Sequence, residues 1–458
     1  KSGRVSEQEA LKYLKNYPYE DVGCAKIDVQ RALRNGAGEV IYGEGKTDDE
    51  ILRIAGAIGA RGQNILITRT NERVFKRMRE ALPQAEFNAR GRVISVKFKE
   101  PALTQSYIAI VSAGTADGAA HSFASVLDGT MSLEDFVALL EPDDLANLAY
   151  GDIEMNSPLG APGNAGAFGG VTERLRSLGV PPAITTDGPS GIRVSAFASL
   201  LPCGTALAST WDPALIERME ALHAQEMLCK GSDVLLAPGM NIHRDPLCGR
   251  NFEYYSEDPL LTGTCAVAYV RGIQSAGGSA CPKHLAANNQ ETNRWVHDSR
   301  VSARALREIY LRAFRMVVEE ASPRTLMTSY NKVNGVWSYH SYDLVTTILR
   351  REWGYEGVVI TDWWVQSAQD PDFEALSDSA YRLRAQADVL MPGALSWEHQ
   401  KREDGHDQFI LKAFDPADTS GERLTLGELQ RSARNVLRLV LSSPAMDRLD
   451  EQIALNLS

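Results

Sequence analysis

Beyond residue 180, polar and aromatic side chains of wide chemical range follow short apolar runs. Asp187 follows one run in ITTDGPSG, and Asp362 follows another in VITDWW, with Trp363 and Trp364 next in line. Arg250 (CGRNFE), Lys283 and His284 (CPKHLA), Arg294 (ETNR) and Tyr330 (MTSYN) lie between them. A pocket holding these would combine two carboxylates, several cations and aromatic faces. That set suits a neutral polyhydroxylated ligand. Carboxylates accept hydrogen bonds from hydroxyls, Lys and Arg donate them, and Trp stacks on the apolar face of a sugar ring. Each residue also has a plainer reading. Asp362 can cap a following helix, and Asp187-Gly-Pro can form a turn. Lys283-His284 can be a surface pair or a core imidazole bonded to backbone. Trp363-Trp364 can be core packing, and Arg250 and Arg294 solvated loop charges.

The elements that would position these residues repeat. The apolar runs are Ala183–Thr186, Val234–Ala237, Ser279–Cys281, Thr325–Thr328, Val358–Thr361 and Asp388–Met391. Amphipathic helices are expected between them. One opens at Asp212-Pro213, an N-cap followed by Pro, and stops near Gly231. Another spans about Ser302 to Glu320, and a last one Leu426 to Leu441. Strand, polar loop and helix, repeated, predict an α/β fold with a (β/α)8 TIM-like barrel, whose carboxyl strand ends share one pocket. A doubly wound sheet would show a Gly-rich phosphate turn after its first strand, and none follows Ala183–Thr186.

A small α/β domain is expected before the barrel, over residues 1–118. Ser6 opens a helix there. Thr47 caps a second, with Asp48, Asp49 and Glu50 in its first turn and Ile51, Ile54, Ala55 and Ile58 at helical spacing. Asn64–Thr68, Val93–Val96 and Ile108–Val111 read as strands. Residues 119–141 read as a linker with a helix signal at Ser132, 142–445 as the barrel and 446–458 as a tail.

With 458 residues, 44% hydrophobic and 23% charged, the chain has ordinary globular composition. Its net charge of −11 argues against nucleic-acid or anionic-membrane partners, which are bound through basic patches. No apolar stretch is long enough to predict a membrane span. The six cysteines show no CxxC spacing and the eight histidines no HExxH, so no metal site or disulfide scaffold is expected. Reduced thiols and a sequence that opens at Lys1 without a charged-then-apolar leader make a cytoplasmic location the expectation. The oligomeric state stays open, a homodimer included.

From about Leu139 to Leu441 the sequence resembles the catalytic barrel of glycoside hydrolase family 3, the β-glucosidase type. TTDGPSGIR, APGMNIHRDPLCGRNFEYYSEDP, KHLAANNQETNR, DSRVSARALREIYLRAF, MTSYNKVNG and WGYEGVVITDWW carry the resemblance, in that order. It implies a carbohydrate substrate, no cofactor, and retaining hydrolysis of β-glycosides. It makes Asp362 the nucleophile and Asp187 the carboxylate for ring hydroxyls distant from the anomeric carbon. Arg250, Lys283, His284 and Arg294 match its hydroxyl-binding cluster. Tyr330 and Met327 match the wall near the nucleophile, and Trp363 the aromatic beside it. Cations such as Lys283 and Arg294, if close, would lower the pKa of Asp362.

Retention also needs a second carboxyl group, about 5–5.5 Å away, to protonate the leaving oxygen. In the branch that this sequence resembles, that glutamate comes from a separate sandwich domain, and no segment here matches its loop. Other members use an Asp-Ser-His loop. This chain instead reads His297-Asp298-Ser299-Arg300, leaving His297 a minor candidate. Glu253 and Glu291 are expected to serve structural hydrogen bonds.

Residues 15–118 are similar to the N-terminal region of the LarB-type synthase of nickel-pincer nucleotide biosynthesis. VGCAKIDVQRALRNGAGEVIYGEGKT, QNILITR and IAIVSAGTADG carry that likeness, which stops as the carboxylase-related domain would begin. GEGKT is not a Walker A loop, since Val40 stands where its first Gly belongs. Arg31, Lys46 and Arg69 can contact phosphate or be solvated surface. The chain therefore reads as a fusion. Its leading expectation is a β-glucosidase-like glycosidase. The alternatives are a sugar-binding barrel lacking an acid/base residue, and a nucleotide-binding protein acting through the first domain.

Overall fold

The computed structural model describes residues 40–98, 122–393 and 409–447, apart from positions 44, 89–91, 153–154, 367, 369, 373–375 and 377, together with 19–21, 23 and 25–28. The chain divides into two compact units that meet in sequence near residue 110. The helix expected after Ser6, the strand at Ile108–Val111 and Arg31 lie outside the described residues.

In the first unit, Tyr19–Asp21 (β1) pairs antiparallel with Lys26–Asp28 (β2). A separate four-stranded sheet has the order β3-β4-β6-β5, from Val40–Tyr42 (β3), Ile65–Thr68 (β4), Ala85–Asn88 (β5) and Val93–Val96 (β6). β3 and β4 run parallel, and the other neighbours antiparallel. The helix Asp48–Gly59 follows GEGKT. Thr47 accepts from the Glu50 backbone N–H, and the Glu50 carboxylate reaches back to the Thr47 N–H at 2.7 Å. That capping box, with three carboxylates in the first turn, satisfies the terminal donors from within and repels an anion. A phosphate at this helix end is therefore disfavoured. Ile51, Ile54, Ala55 and Ile58 are buried, as their spacing predicts. Glu72–Ala81, capped by Asn71, buries Val74 and Met78 against the same core.

The second unit is a mixed α/β structure. The expected runs form strands: Pro182–Asp187 (β8), Val234–Leu236 (β9), Ser279–Ala280 (β10), Thr325–Met327 (β12), Val358–Trp363 (β15) and Val389–Met391 (β16). Gly166–Gly169 (β7) lies beside β8 and runs antiparallel to it. Repeated strand-loop-helix units predict parallel neighbours throughout, so β7 departs from that pattern. Its sequence, GAFG, has no β-branched residue and reads as a turn.

One sheet has the order β10-β9-β8-β7 and another β12-β15-β16. Beyond β7, all their neighbouring strands are parallel. Isolated bridges join Gly239 to Lys283, Leu285 to Thr328, Tyr150 to Leu390 and Gly151 to Phe168. A smaller sheet, Asp298–Ser299 (β11), Lys332–Val333 (β13) and Val336–Trp337 (β14), lies apart from these two.

β9, β12 and β16 are buried at every position, as strands covered on both faces must be. Helices supply the cover. Pro213–Cys229 is capped by Asp212 with Pro at its first position, as the sequence predicts. Pro259–Ser275 packs between it and Arg312–Ala321. Leu426–Leu441 opens on a second capping box, Thr425 with Glu428. The helix expected from Ser302 to Glu320 is interrupted by a π-helical segment at Leu306–Tyr310.

Two carboxylates at the amino ends of strands pin the sheets. Asp233 accepts from the Ile184 N–H at 2.8 Å, and Asp388 from the Val359 N–H at 2.8 Å. Asp388 is also held by Arg350 at 2.6 Å. A buried charge is tolerated when hydrogen-bonded and paired in this way. The opposite, carboxyl ends carry different chemistry.

Candidate active site

Asp187 is the last residue of β8, Met327 the last of β12, and Asp362 the penultimate residue of β15. Lys283 and His284 follow β10 by a few residues, and Tyr330 follows β12. Parallel strands bring these termini to one side, and there they line a cavity of about 330 Å³. The nine residues given roles by the resemblance all border it: Asp187, Arg250, Lys283, His284, Arg294, Met327, Tyr330, Asp362 and Trp363. A cavity of about 570 Å³ lies at the amino ends, among Arg324, Trp353, Gly357 and Arg438, and contains none of them.

Asp362 is 7% exposed. One carboxylate oxygen, Oδ1, accepts from the Trp363 backbone N–H at 2.8 Å. The other, Oδ2, accepts no hydrogen bond, and His284 Nε2 stands 3.6 Å from it. Burial pushes the Asp362 carboxyl up, against the pull of Arg250, Lys283, the Trp363 N–H and Arg294. The nearby cations do pull it down, as expected, but they do not set the net direction. The cations are present, but loss of water outweighs them.

His284 is no cation here. Burial and the charges of Arg250, Lys283 and Arg294 drive its pKa far down, so the imidazole is neutral. Its Nδ1 lies 3.3 Å from the Tyr254 hydroxyl, which also accepts from the Asn288 amide. Tyr330 is buried next to Asp362. Burial first, and then the Asp362 charge, keep its phenol protonated far above neutral pH.

Lys283 is 3% exposed and donates to Asp187 Oδ1 at 2.7 Å. Arg193 donates to Oδ2 of the same carboxylate at 3.1 Å. Burial alone would raise the Asp187 carboxyl. Lys283, supported by Arg193 and Arg250, reverses this and holds it below the ordinary aspartate range. The two aspartates are thus driven in opposite directions, the pattern of carboxyl groups with different tasks.

The remaining cations are held by their own carboxylates. Arg250 Nε donates to Glu253, and Arg294 donates to Glu291 Oε2 at 2.9 Å. The Arg294 guanidinium also lies over two rings that meet edge to face, 4.6 Å from the Trp295 centroid and 4.7 Å from that of Tyr330. Trp363 is fixed by its indole N–H, which donates to the Ala165 carbonyl at 2.8 Å.

Sequence reasoning missed Trp295, Arg193, Phe252 and Met155, the last three of which border the cavity, whereas Trp364, named beside Trp363 in the sequence, borders it as expected. Arg193 had a signal, since it ends the quoted motif TTDGPSGIR that carries Asp187, and Phe252 lies in the motif that carries Arg250; Trp295 falls just after a quoted motif. Met155 had none. His297 does not border the cavity. Its ring nitrogens face Gln290 at 2.9 Å and Ser299 at 3.2 Å. That position corrects its candidacy as proton donor. Among the described residues, no group of His, Cys, Asp and Glu is arranged to hold a metal ion. No described helix is long and apolar enough to cross a membrane.

Comparison with known proteins agrees with this geometry. Residues 168–439 match the glycosyl hydrolase family 3 N-terminal domain, and residues 19–99 match the LarB/PurE-like N-terminal domain. A β-glucosidase of Ruminococcus albus is 45% identical over 355 residues, covering 77% of this chain and 36% of the relative. An exo-α-(1→6)-L-arabinopyranosidase of Bifidobacterium breve is 37% identical over 65% of this chain and 37% of its own length. Among solved structures, a β-glucosidase from Paenibacillus barengoltzii superimposes with a TM-score of 0.66 at 47% identity, over 72% of this chain and 35% of that one. β-Glucosidase 3B from Thermotoga neapolitana, in complex with α-D-glucose, gives 0.60 at 36% identity, over 70% and 44%. The chain spans little more than a third of the length of the curated relatives it matches. On the family match over more than half of its residues, the chain belongs to glycosyl hydrolase family 3.

Proposed function

We propose that the second unit is a β-glucosidase-like glycosidase that acts with retention through Asp362. One observation carries this reading. A buried carboxylate with one unengaged oxygen shares a small cavity with a Lys–Asp pair able to grip hydroxyls. In the proposed first step, Asp362 Oδ2 bonds to the anomeric carbon as the glycosidic C–O bond breaks, and the leaving oxygen takes a proton from water. Water then cleaves the glycosyl ester and restores the carboxylate. Burial raises the energy of the Asp362 charge when the site is empty. Positive charge developing at the anomeric carbon relieves that cost in the transition state.

Asp187, Lys283 and Arg250 would hold ring hydroxyls, and Arg294 with Tyr330 would border the reacting side. We further propose that the two sheets close into one (β/α) barrel. The bridges Tyr150–Leu390, Gly151–Phe168 and Leu285–Thr328 support closure, because they link the edges of both sheets. To test the nucleophile, an aryl 2-deoxy-2-fluoro-β-glucoside would be incubated with the protein and digested peptides weighed. Label on the Asp362 peptide is expected. Label elsewhere, or undiminished turnover by Asp362→Gly, would sink the assignment.

A second reading follows from the other cavity carboxylates. Asp187, Glu253 and Glu291 are each engaged by a cation. A unit short of a proton donor would bind sugar and cleave only activated aryl glycosides. Comparable rates on aryl glucosides and on disaccharides would reject it.

A further inference from the structure

A buried polar chain stands behind the loop that carries Asp187. Glu220 and His223 lie on the inner face of the helix Pro213–Cys229, and Tyr269 on Pro259–Ser275. All three are buried, at 0%, 2% and 1% exposure. His223 Nδ1 is 2.8 Å from Glu220 Oε2 and 3.5 Å from the Tyr269 hydroxyl. That hydroxyl donates to the Pro189 carbonyl at 3.3 Å. An ionisable pair so deep in an apolar layer costs stability relative to apolar residues of similar volume. None of the three borders the cavity.

The loop they touch is narrow and strained. Gly188 and Gly191 have φ of +134° and +121°, and a Cβ on Gly188 would stand 1.9 Å from the Gly191 carbonyl oxygen. The Gly191 N–H donates to the Gly188 carbonyl at 3.3 Å, and the Arg193 N–H to the Asp187 carbonyl at 2.9 Å. Asp187 and Arg193 are therefore the two ends of one closed turn, with Pro189 near its tip. The Tyr269 hydroxyl is a side-chain anchor on that tip.

We infer that Tyr269, backed by the Glu220–His223 pair, is a positioning residue for the Asp187 carboxylate and sets how it meets a sugar hydroxyl. With the His223 proton on Nδ1, that nitrogen donates to Glu220, and the Tyr269 O–H is shared between the Pro189 carbonyl and the Glu220 carboxylate. Removing that O–H frees the tip of the loop without changing the identity of any side chain that borders the cavity. The inference rests on the proposed role of Asp187 as a hydroxyl-binding group.

The test is a double-mutant cycle on glucose affinity, measured by calorimetry on the full chain. The proteins are the unmodified chain, Tyr269→Phe, Asp187→Asn and the double variant, all held well below their melting temperatures. Tyr269→Phe is expected to weaken binding about tenfold, and to have no further effect once Asp187 is Asn. A general loss of packing would lower the melting temperature without such coupling. Tyr269→Phe with unchanged affinity, or losses that simply multiply in the double variant, overturn the inference. If Tyr269→Phe does not fold, Glu220→Gln, nearly the same shape, must show the same coupling. An Asp187→Asn protein of unchanged affinity refutes the reading of Asp187 itself, and an unmodified protein that binds no glucose refutes both.

Discussion

Lys283 Nζ lies 2.7 Å from Asp187 Oδ1, and the two residues are 96 positions apart in the chain. This contact ties the end of β8 to the segment after β10 across the mouth of the cavity. Lys283→Met would leave Asp187 with its hydrogen bond from Arg193 and the more distant charge of Arg250. Removing one partner of a fully buried pair costs about 3 kcal/mol or more when the other charge stays uncompensated. The 32% exposure of the Asp187 side chain and its remaining Arg193 contact bring the expected cost below that. Urea unfolding should show a lower midpoint with the same slope, and a midpoint within error of the parent would contradict the role given to the pair.

The sign of the Asp187 contribution can be checked with pH. Its carboxyl is held below the ordinary aspartate range, so the folded state binds its proton less readily than the unfolded chain does. Stability from this group is present above the unfolded pKa and lost as pH falls through the folded one. In Lys283→Met the Asp187 carboxyl should move back up. The stability difference between parent and variant should then shrink in acid. A difference constant between pH 7 and pH 3 would show that the charge of Asp187 is not involved.

Asp362 should behave in the opposite sense. Burial raises its folded pKa, so its contribution is fully present below the unfolded pKa and is lost as pH rises through the folded one. Asp362→Asn removes a charge that the fold holds at a cost. The variant is expected to melt higher than the parent at pH 7 and to lose that advantage in acid. Turnover of an aryl β-glucoside should fall by roughly 10⁴-fold. A variant that is less stable than the parent at pH 7 would show that the Asp362 charge is well compensated.

Much of this site was legible because strand ends announce themselves. β15 reads as a buried apolar run, and Asp362 and Trp363 end it; Asp187 ends β8 in the same way. The parallel arrangement then brings such residues together. What was not legible has a physical reason in each case. β7 is built from Gly, Ala and Phe, residues without strand signal, and is fixed by pairing with β8. The pKa direction of Asp362 depends on how much water the fold removes, which no spacing reveals. Trp295 stacks on Arg294 through a loop conformation that its sequence does not encode by period.

The first unit offers a local test that does not depend on the cavity. Thr47 and Glu50 form a reciprocal cap on Asp48–Gly59. Thr47→Ala removes the hydroxyl that accepts from the Glu50 N–H, keeps the backbone N–H that the Glu50 carboxylate reaches, and should cost about 1 kcal/mol in the unfolding of that unit. Circular dichroism of the full chain should show an earlier first-unit transition, with the sugar-dependent transition of the second unit unmoved. If both transitions shift equally, the two units do not unfold independently.

Arg294 provides the sharpest test of geometry against charge. Its guanidinium is held by Glu291 at 2.9 Å and stacks over Trp295 and Tyr330, whose rings also meet edge to face. Lysine keeps the charge but has no planar face, so Arg294→Lys retains attraction to Glu291 and loses the stack. A stacked cation contributes about 0.5–1 kcal/mol at a partly exposed site. The larger consequence lies with Tyr330, whose ring loses the neighbour that fixes it next to Asp362. If stacking holds the Tyr330 phenol against the nucleophile, Arg294→Lys should lower kcat about tenfold with KM little changed. Trp295→Ala, which leaves the arginine in place, should lower it less. If charge alone matters, Arg294→Lys should match the parent and Arg294→Met should not. Equal, large losses in both substitutions of Arg294, with Trp295→Ala silent, would place the arginine's effect in its hydrogen bonds rather than in the stack.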